Sequence, residues 1–365
     1  MSRRTVAEWW GAVAGGRRSV KTPALLLMWL LTLVSLPYSI AVFVVLRLRA
    51  MRPVGVDVPV ISVGNMVVGG TGKTPIVIYL ARRLVKDGHS VAVVSRGYGR
   101  TGRGTQLVSR GERPIAAWRE VGDEAYLTAL LTRGASVVVA TRRADGIRYA
   151  VDRLGAGVII LDDAFQHLQV ARDLDVVAVD ALHPVGNGMM LPAGTLREHP
   201  LGIARAGLII ATRCDSTGGA EQVRATLGAL ARAVPVVETR MRPAEFWDVT
   251  TGKAANPEAF RTSRLLAVAG IADPGGFFSM LEGLGFALAD RVAFPDHHAY
   301  STQELAELEG RLKKSGVRAI LTTEKDAVRL GGWRPAVPVI AVGIDLEVLK
   351  GQKLLDDALT AVMGS

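Results

Sequence analysis

Val60-Ile-Ser-Val-Gly-Asn-Met-Val-Val-Gly-Gly-Thr-Gly-Lys-Thr-Pro75 is the stretch on which the reading of this chain turns. Its apolar start, ending at Val63, has the length and β-branched character of a buried strand. A glycine-rich turn follows, and an amphipathic run from Ile76 to Lys86 then has helical spacing. Strand, Gly-rich turn, Gly-Lys-Thr and helix together make a phosphate-binding loop. Glycines let backbone N–H groups curl around a phosphate, and the helix N-terminus adds partial positive charge. The candidate nucleotide-binding residues are Gly69, Gly70, Thr71, Gly72, Lys73, Thr74 and Pro75. Lys73 is suited to the β/γ-phosphates, and the Thr74 hydroxyl to Mg²⁺. The strict pattern has glycine where this chain has Val67. The stretch predicts a nucleoside triphosphate site.

Working outward, strand-like runs occur at 58–63, 91–95, 135–141, 157–161, 174–179, 207–212 and 234–239. Helical stretches at 124–132, 146–154 and 222–232 separate several of them. This alternation predicts an α/β fold with a mostly parallel sheet covered on both faces. The polar motifs fall just after the strands: Ser95-Arg-Gly-Tyr-Gly99, Thr141-Arg-Arg143, Asp162-Asp-Ala-Phe-Gln-His167, Asp180 and Thr212-Arg-Cys-Asp215. Ligands of open α/β sheets bind outside the carboxyl ends of strands, so one edge should gather them beside the phosphate loop.

The pattern weakens over 241–263, where a domain junction is expected. The organisation predicted is an N-terminal segment 1–52, a phosphate-loop domain 53–245 and a smaller α/β domain 246–365. In the last, strands are expected at 265–269, 287–294, 317–322 and 337–342, with helices at 277–284, 303–314 and 346–362.

The 365 residues are 49% hydrophobic, enough for two sizeable cores. The single cysteine, Cys214, excludes an internal disulfide and any Cys-based zinc cluster. The net charge of +10 looks like a nucleic-acid signal until it is located. Eight basic residues against Glu8 give residues 1–52 a net +7, leaving +3 for the other 313. Anionic lipid is the better partner, and nucleic acid is not expected.

From Thr22 to Leu46 no residue is charged. Twenty-five residues at about 1.5 Å each are enough to cross a hydrocarbon core of about 30 Å. A span that keeps the phosphate loop cytoplasmic leaves Arg3, Arg4, Arg17, Arg18 and Lys21 outside, against the positive-inside tendency. Pro37, near the middle, is a residue that can break a helix, and a pair of short in-plane helices would keep both basic flanks inside. A span, a monotopic insertion and a buried soluble helix all stay open on sequence.

Gly157-Val-Ile-Ile-Leu-Asp162-Asp163 has the form of a Walker B strand, with a carboxylate for Mg²⁺. The plainer reading is a strand ending in solvated aspartates. His167 either orients Asp163 or caps the loop. Asp123 at a helix start is by default an N-cap, and near a γ-phosphate it is also a proton acceptor. Arg197 is a candidate phosphate clamp or a solvated arginine. His297 and His298 are adjacent and point apart, which disfavours a two-histidine metal site.

In this order the motifs resemble those of the tetraacyldisaccharide 4′-kinase family, the lipid A kinases of Gram-negative bacteria. Besides the phosphate loop they are Ser95-Arg-Gly-Tyr98, Val121-Gly-Asp-Glu124, Asp162-Asp-Ala-Phe-Gln-His167, Leu191-Pro-Ala-Gly194, Leu196-Arg-Glu198, Asp296-His297 and Thr323-Glu-Lys-Asp326. The departures are Ala164 where the family usually has glycine, and Arg213 where it commonly has lysine. The resemblance implies transfer of the γ-phosphate of ATP to the 4′-hydroxyl of an acylated glucosamine disaccharide 1-phosphate. It implies Asp123 as base, paired with His297 across the two domains, with Lys73 and Arg197 neutralising phosphoryl charge. It further implies Mg²⁺ held by Thr74, Asp162, Asp163 and Glu198, with Glu124 and His167 in the supporting network. Arg213 and Asp215 are expected near adenine. The implied location is the bacterial inner membrane with the site on its cytoplasmic face, and no obligatory protein partner is evident. The rival reading is a membrane-associated ATPase switch of the partitioning type, but Val68 stands where that group has its signature lysine.

Overall fold

The computed structural model describes residues 22–215 and 218–364. The basic residues Arg3, Arg4, Arg17, Arg18 and Lys21 therefore lie outside the described residues.

Thr22–Ala50 forms one continuous helix, α1, with Pro37 inside it. Of the open alternatives, the break at Pro37 does not occur. One missing N–H interrupts a single hydrogen bond, and in an apolar segment every neighbouring backbone group still does best inside the helix. The paired short helices are therefore replaced by one helix, of which Met28–Ala50 is long and apolar enough to cross a membrane. Trp29, Leu33, Phe43 and Leu48 stand exposed along it. The buried Ser35 ties α1 to the body, donating to the Met190 carbonyl at 3.1 Å and accepting from Ala193 N at 3.1 Å.

The alternating pattern follows, with β3 and α3 added to the runs read from the sequence. It runs β1 (Val60–Gly64), α2 (Lys73–Lys86), β2 (Val91–Ser95), β3 (Thr105–Arg110), α3 (Trp118–Val121), α4 (Asp123–Leu131) and β4 (Ser136–Ala140). Next come α5 (Arg143–Leu154), β5 (Val158–Asp162), β6 (Leu174–Asp180), β7 (Leu208–Thr212) and α6 (Gly219–Leu227). Every residue of β1, β2, β5, β6 and β7 is buried, as a sheet covered on both faces requires. Ile76, Leu80 and Leu84 of α2 pack on one face with Ile61 and Val63, while Ile147 and Ala150 of α5 pack on the other.

The second half comprises β8 (Val236–Asp248), β9 (Arg264–Ala269), α7 (Pro274–Gly283), β10 (Ala287–Ala293) and α8 (Thr302–Ser315). It ends with β11 (Ala319–Thr323), α9 (Glu324–Leu330), β12 (Val339–Lys350) and α10 (Gln352–Met363). Among the described residues twelve strands form one sheet in the order β10-β9-β11-β12-β8-β7-β6-β1-β5-β2-β4-β3. Among the described residues, β3/β4 and β8/β12 are the strand pairs that run antiparallel.

The β8/β12 ribbon differs from expectation. A helix was expected from Leu346, but 346–350 continue β12, and α10 begins only after Gly351. Ile344, Leu346 and Val348 alternate with Asp345 and Glu347, and each pairs with β8. That period of two decides the conformation. The junction expected at 245/246 falls inside β8, whose half-exposed later residues explain why the sequence pattern fades there.

Candidate active site

The phosphate loop joins β1 to α2. Gly64 closes up against Phe165, whose backbone N lies 2.6 Å from where a Cβ would sit. Gly72 caps α2 with φ +83°, a left-handed conformation that favours glycine. Thr71 N donates to the Gly69 carbonyl at 3.1 Å, and Asn65 Nδ2 donates to Thr71 Oγ1 at 2.9 Å, which fixes the turn. Val67, the departure from the strict motif, bridges to Leu196, and Val68 N donates to the Thr195 carbonyl. The non-glycine residue thus docks the loop bearing Arg197 against the phosphate loop. Pro75 lies in the first turn of α2, where no N–H is required. Gly70 faces Ala272 of the second half, 3.5 Å from an ideal Cβ.

Asp162 and Asp163 end β5 beside this loop. Lys73 Nζ lies 3.7 Å from Asp163 Oδ1, and Arg197 Nη1 donates to both Asp163 oxygens at 2.9 and 3.0 Å. Arg143 Nη2 donates to the carbonyls of Asp162 and Asp163, both at 2.8 Å, and pins a turn in which Asp163 has φ +48°. Burial, then the carboxylates of Glu124 and Asp163, push Asp162 up to about 6. Lys73 and Arg197 hold Asp163 below the usual range against the opposing effect of burial. The crowded carboxylates, with the buried Thr74 next in sequence to the Lys73 that meets Asp163, are a hard-oxygen donor set of the kind Mg²⁺ favours. Among the described residues no three His, Cys, Asp or Glu side chains converge as a metal cage. Mg²⁺ commonly takes one or two carboxylates and fills its shell with phosphate oxygens and water, so the donors here fit it.

Asp123 is not the N-cap of α4. Gly122 takes that position, and Asp123 is the first helical residue. Its Oδ2 meets His297 Nδ1 at 3.0 Å and accepts from Arg329 Nε at 3.0 Å and Nη2 at 2.7 Å. Burial alone would raise Asp123, but the His297 hydrogen bond and the Arg329 charge outweigh it and hold the carboxyl well below its usual range. His297 is raised, chiefly by its hydrogen bond to Asp123. Beside the pair, Glu124 Oε1 accepts from Lys325 Nζ at 2.9 Å. Tyr98 of the Ser-Arg-Gly-Tyr motif is tilted against the His297 ring at 57°, centroids 6.0 Å apart.

Other expected residues have different surroundings. Glu198, grouped on sequence with the metal ligands, is buried with both oxygens accepting from Arg205 Nη2 at 2.9 and 2.7 Å, and Oε1 also from Gln166. His167 makes no hydrogen bond to Asp163, and burial with the charge of Arg143 lowers it to about 4. Ala164 has no positive φ, so the missing family glycine causes no backbone strain there. Arg213 does adopt φ +60°, and its Nη2 donates to Asp180 Oδ2 at 2.6 Å. Asp215 is exposed in the turn just beyond.

Sequence reasoning gave no role to Arg329 or Lys325. Lys325 lay inside the quoted Thr-Glu-Lys-Asp motif, and Arg329 follows it by four residues, one turn along the same face of α9. That spacing was the available signal.

Residues 27–363 match the family described as Tetraacyldisaccharide-1-P 4'-kinase. The chain is 44% identical over 310 residues to the tetraacyldisaccharide 4'-kinase of Anaeromyxobacter sp. (strain Fw109-5), covering 84% of this chain and 83% of the relative. With the enzyme of that name from Geobacter metallireducens it shares 40% identity over 346 residues, 93% of this chain and 99% of the relative. The fold resembles the crystal structure of the "apo" form of LpxK from Aquifex aeolicus in complex with ATP, with TM-score 0.73 and 29% identity. That match covers 90% of this chain and 98% of the other.

Proposed function

This chain belongs to the tetraacyldisaccharide-1-P 4'-kinase family, and from that membership we propose how its residues transfer phosphate from ATP to a lipid A precursor. The protein is an ATP-dependent kinase of lipid A biosynthesis, and the switch reading is not favoured. The acceptor is the 4′-hydroxyl of a tetraacylated glucosamine disaccharide 1-phosphate. The observation that carries the residue assignment is the contact of Asp123 Oδ2 with His297 Nδ1 at 3.0 Å, made between the two halves of the chain.

In the transfer the 4′-oxygen forms a bond to the γ-phosphorus while the bond from that phosphorus to the β–γ bridging oxygen breaks. The hydroxyl proton passes to the Asp123–His297 pair, and ADP leaves. Lys73 and Arg197, together on Asp163 before substrate arrives, offer charge-assisted donors to the phosphoryl oxygens. Thr74, Asp162 and Asp163 would hold Mg²⁺, which when bound supplies charge neutralisation to the phosphates. Glu198 steadies the Arg197 loop through Arg205 and Gln166. Arg213 and Asp215 lie at the mouth of β7, on the side proposed for the base.

The second half supplies His297, Lys325 and Arg329, so closure over the phosphate loop completes the site and excludes water. The exposed apolar face of α1 suits attachment to the bacterial inner membrane, with the site on the cytoplasmic side where ATP is found. An acylated acceptor resides in that bilayer. The test is a coupled assay of ADP release. Release should depend on added tetraacyl disaccharide 1-phosphate; release at the same rate without the lipid would contradict the reading.

A further inference from the structure

Arg329 is almost wholly buried, its side chain 1% exposed, yet it belongs to neither the phosphate loop nor the carboxylate cluster. Two of its donors, Nε and Nη2, converge on one oxygen of Asp123, the oxygen that also meets His297. Its third nitrogen, Nη1, donates to the Gly270 carbonyl at 3.1 Å and to Asp326 Oδ1 at 3.2 Å. Asp326 is itself fully buried and held from three sides: by Tyr300 Oη at 2.8 Å, Thr323 Oγ1 at 2.6 Å and Gly270 N at 2.9 Å. The guanidinium is therefore immobilised by β9, α9 and the segment after β10 before it reaches Asp123. Asp326 alone would neutralise this arginine within the second half. The structure instead directs its fork across to a carboxylate of the first half.

We propose that Arg329 is a positioning residue for phosphoryl transfer, fixing the Asp123 carboxylate so that its pairing with His297 forms in one geometry. The proposal rests on the reading of Asp123 and His297 as the proton-accepting pair. Three donors on Oδ2, with Glu124 N on Oδ1 at 2.9 Å, leave the carboxylate no rotational freedom. Against burial, Arg329 also favours the ionised form of Asp123 together with His297; Lys325 of α9, Glu124 of α4 and Asp296 are the other charged groups around the pair. Removing its charge raises the proton affinity of the pair, so activity fails at a higher pH on the acid side.

The experiment is steady-state kinetics of the full chain, in lipid micelles, with Arg329→Gln, Arg329→Lys, Asp123→Asn and the double variant Asp123→Asn/Arg329→Gln. ATP binding, measured directly, reports folding. Arg329→Gln is expected to lower kcat about 100-fold, the scale of a misplaced catalytic group, with KM for ATP little changed. Its acid limb should move to higher pH. Arg329→Lys should recover part of kcat and restore the limb, and it carries the test alone if Arg329→Gln does not bind ATP. The double variant should be no slower than Asp123→Asn, because both act through one carboxylate. Near-normal kcat with an unmoved acid limb in the Arg329 variants, while Asp123→Asn is inactive, overturns this proposal alone. So does a double variant showing the product of the two single losses. A near-normal Asp123→Asn overturns the pair and this proposal together.

Discussion

Asp123 and His297 stand 174 positions apart in the chain and meet at 3.0 Å, Oδ2 to Nδ1. Asp123 follows β3 and His297 follows β10, the strands at opposite edges of the twelve-stranded sheet. Their contact depends on the second half lying over the first. His297 and Arg329 hold the Asp123 carboxyl below its usual range against burial, and the hydrogen bond to Asp123 raises His297.

Asp123→Asn and His297→Ala should each lower kcat by about 10²- to 10⁴-fold, the usual contribution of a positioned acid–base group, while ATP binding persists. Single-turnover phosphate transfer measures this. Near-normal turnover in both folded variants would remove the pair from the mechanism.

Gly72→Ala tests the phosphate loop by conformation. The new Cβ would stand 2.7 Å from Met241 Cε, which a flexible side chain can relieve. The φ of +83° remains, costing about 1–2 kcal/mol for a residue with a Cβ. Calorimetric ATP titration should show affinity reduced by about tenfold or more. Unchanged affinity would mean that this turn does not cradle phosphate.

Glu324 predicts a pH-dependent stability. The residue opens α9 and is buried, and desolvation pushes its carboxyl up to about 7 from 4.5. Between those values the folded chain holds more proton than the unfolded one, so stability falls as pH rises through the window. Above it the penalty is complete, at most about 3 kcal/mol. Gln keeps an acceptor for Ile344 N, which now donates to Glu324 Oε2 at 3.2 Å. Glu324→Gln should therefore unfold at higher temperature than wild type at pH 8, with the gain shrinking toward pH 5. A pH-independent difference would refute the assignment.

The exposed face of α1 predicts membrane partitioning. Replacing Trp29, Leu33 and Phe43 with serine removes three apolar side chains worth about 1.5–3 kcal/mol each on burial. Co-sedimentation with anionic vesicles should fall by at least about 100-fold, with ATP binding intact. Equal sedimentation would shift attachment elsewhere.

Much of this site was legible because its chemistry is local. The phosphate loop and the Asp162–Asp163 pair each declare themselves within a few residues, and the strand ends bring them together. Asp123 was less legible: its local context suggested an N-cap, and only the family resemblance paired it with His297. Arg329 had no local signature, since its meaning depends on a carboxylate 206 positions away. The β8/β12 ribbon was hidden for another reason. Its later residues are half exposed and mix charge with apolar side chains, so strand and helix periods compete. Pro37 left the helix undecided on sequence because the breaker rule assumes that water is available to the freed carbonyl.

The central claim is phosphate transfer to a lipid, and the direct measurement uses [γ-³²P]ATP with a tetraacyl disaccharide 1-phosphate in mixed micelles. Lys73→Ala serves as the control. Label should appear in the glycolipid with the wild-type chain and vanish with the variant. Label released only as free phosphate, with none in the lipid, would contradict the account.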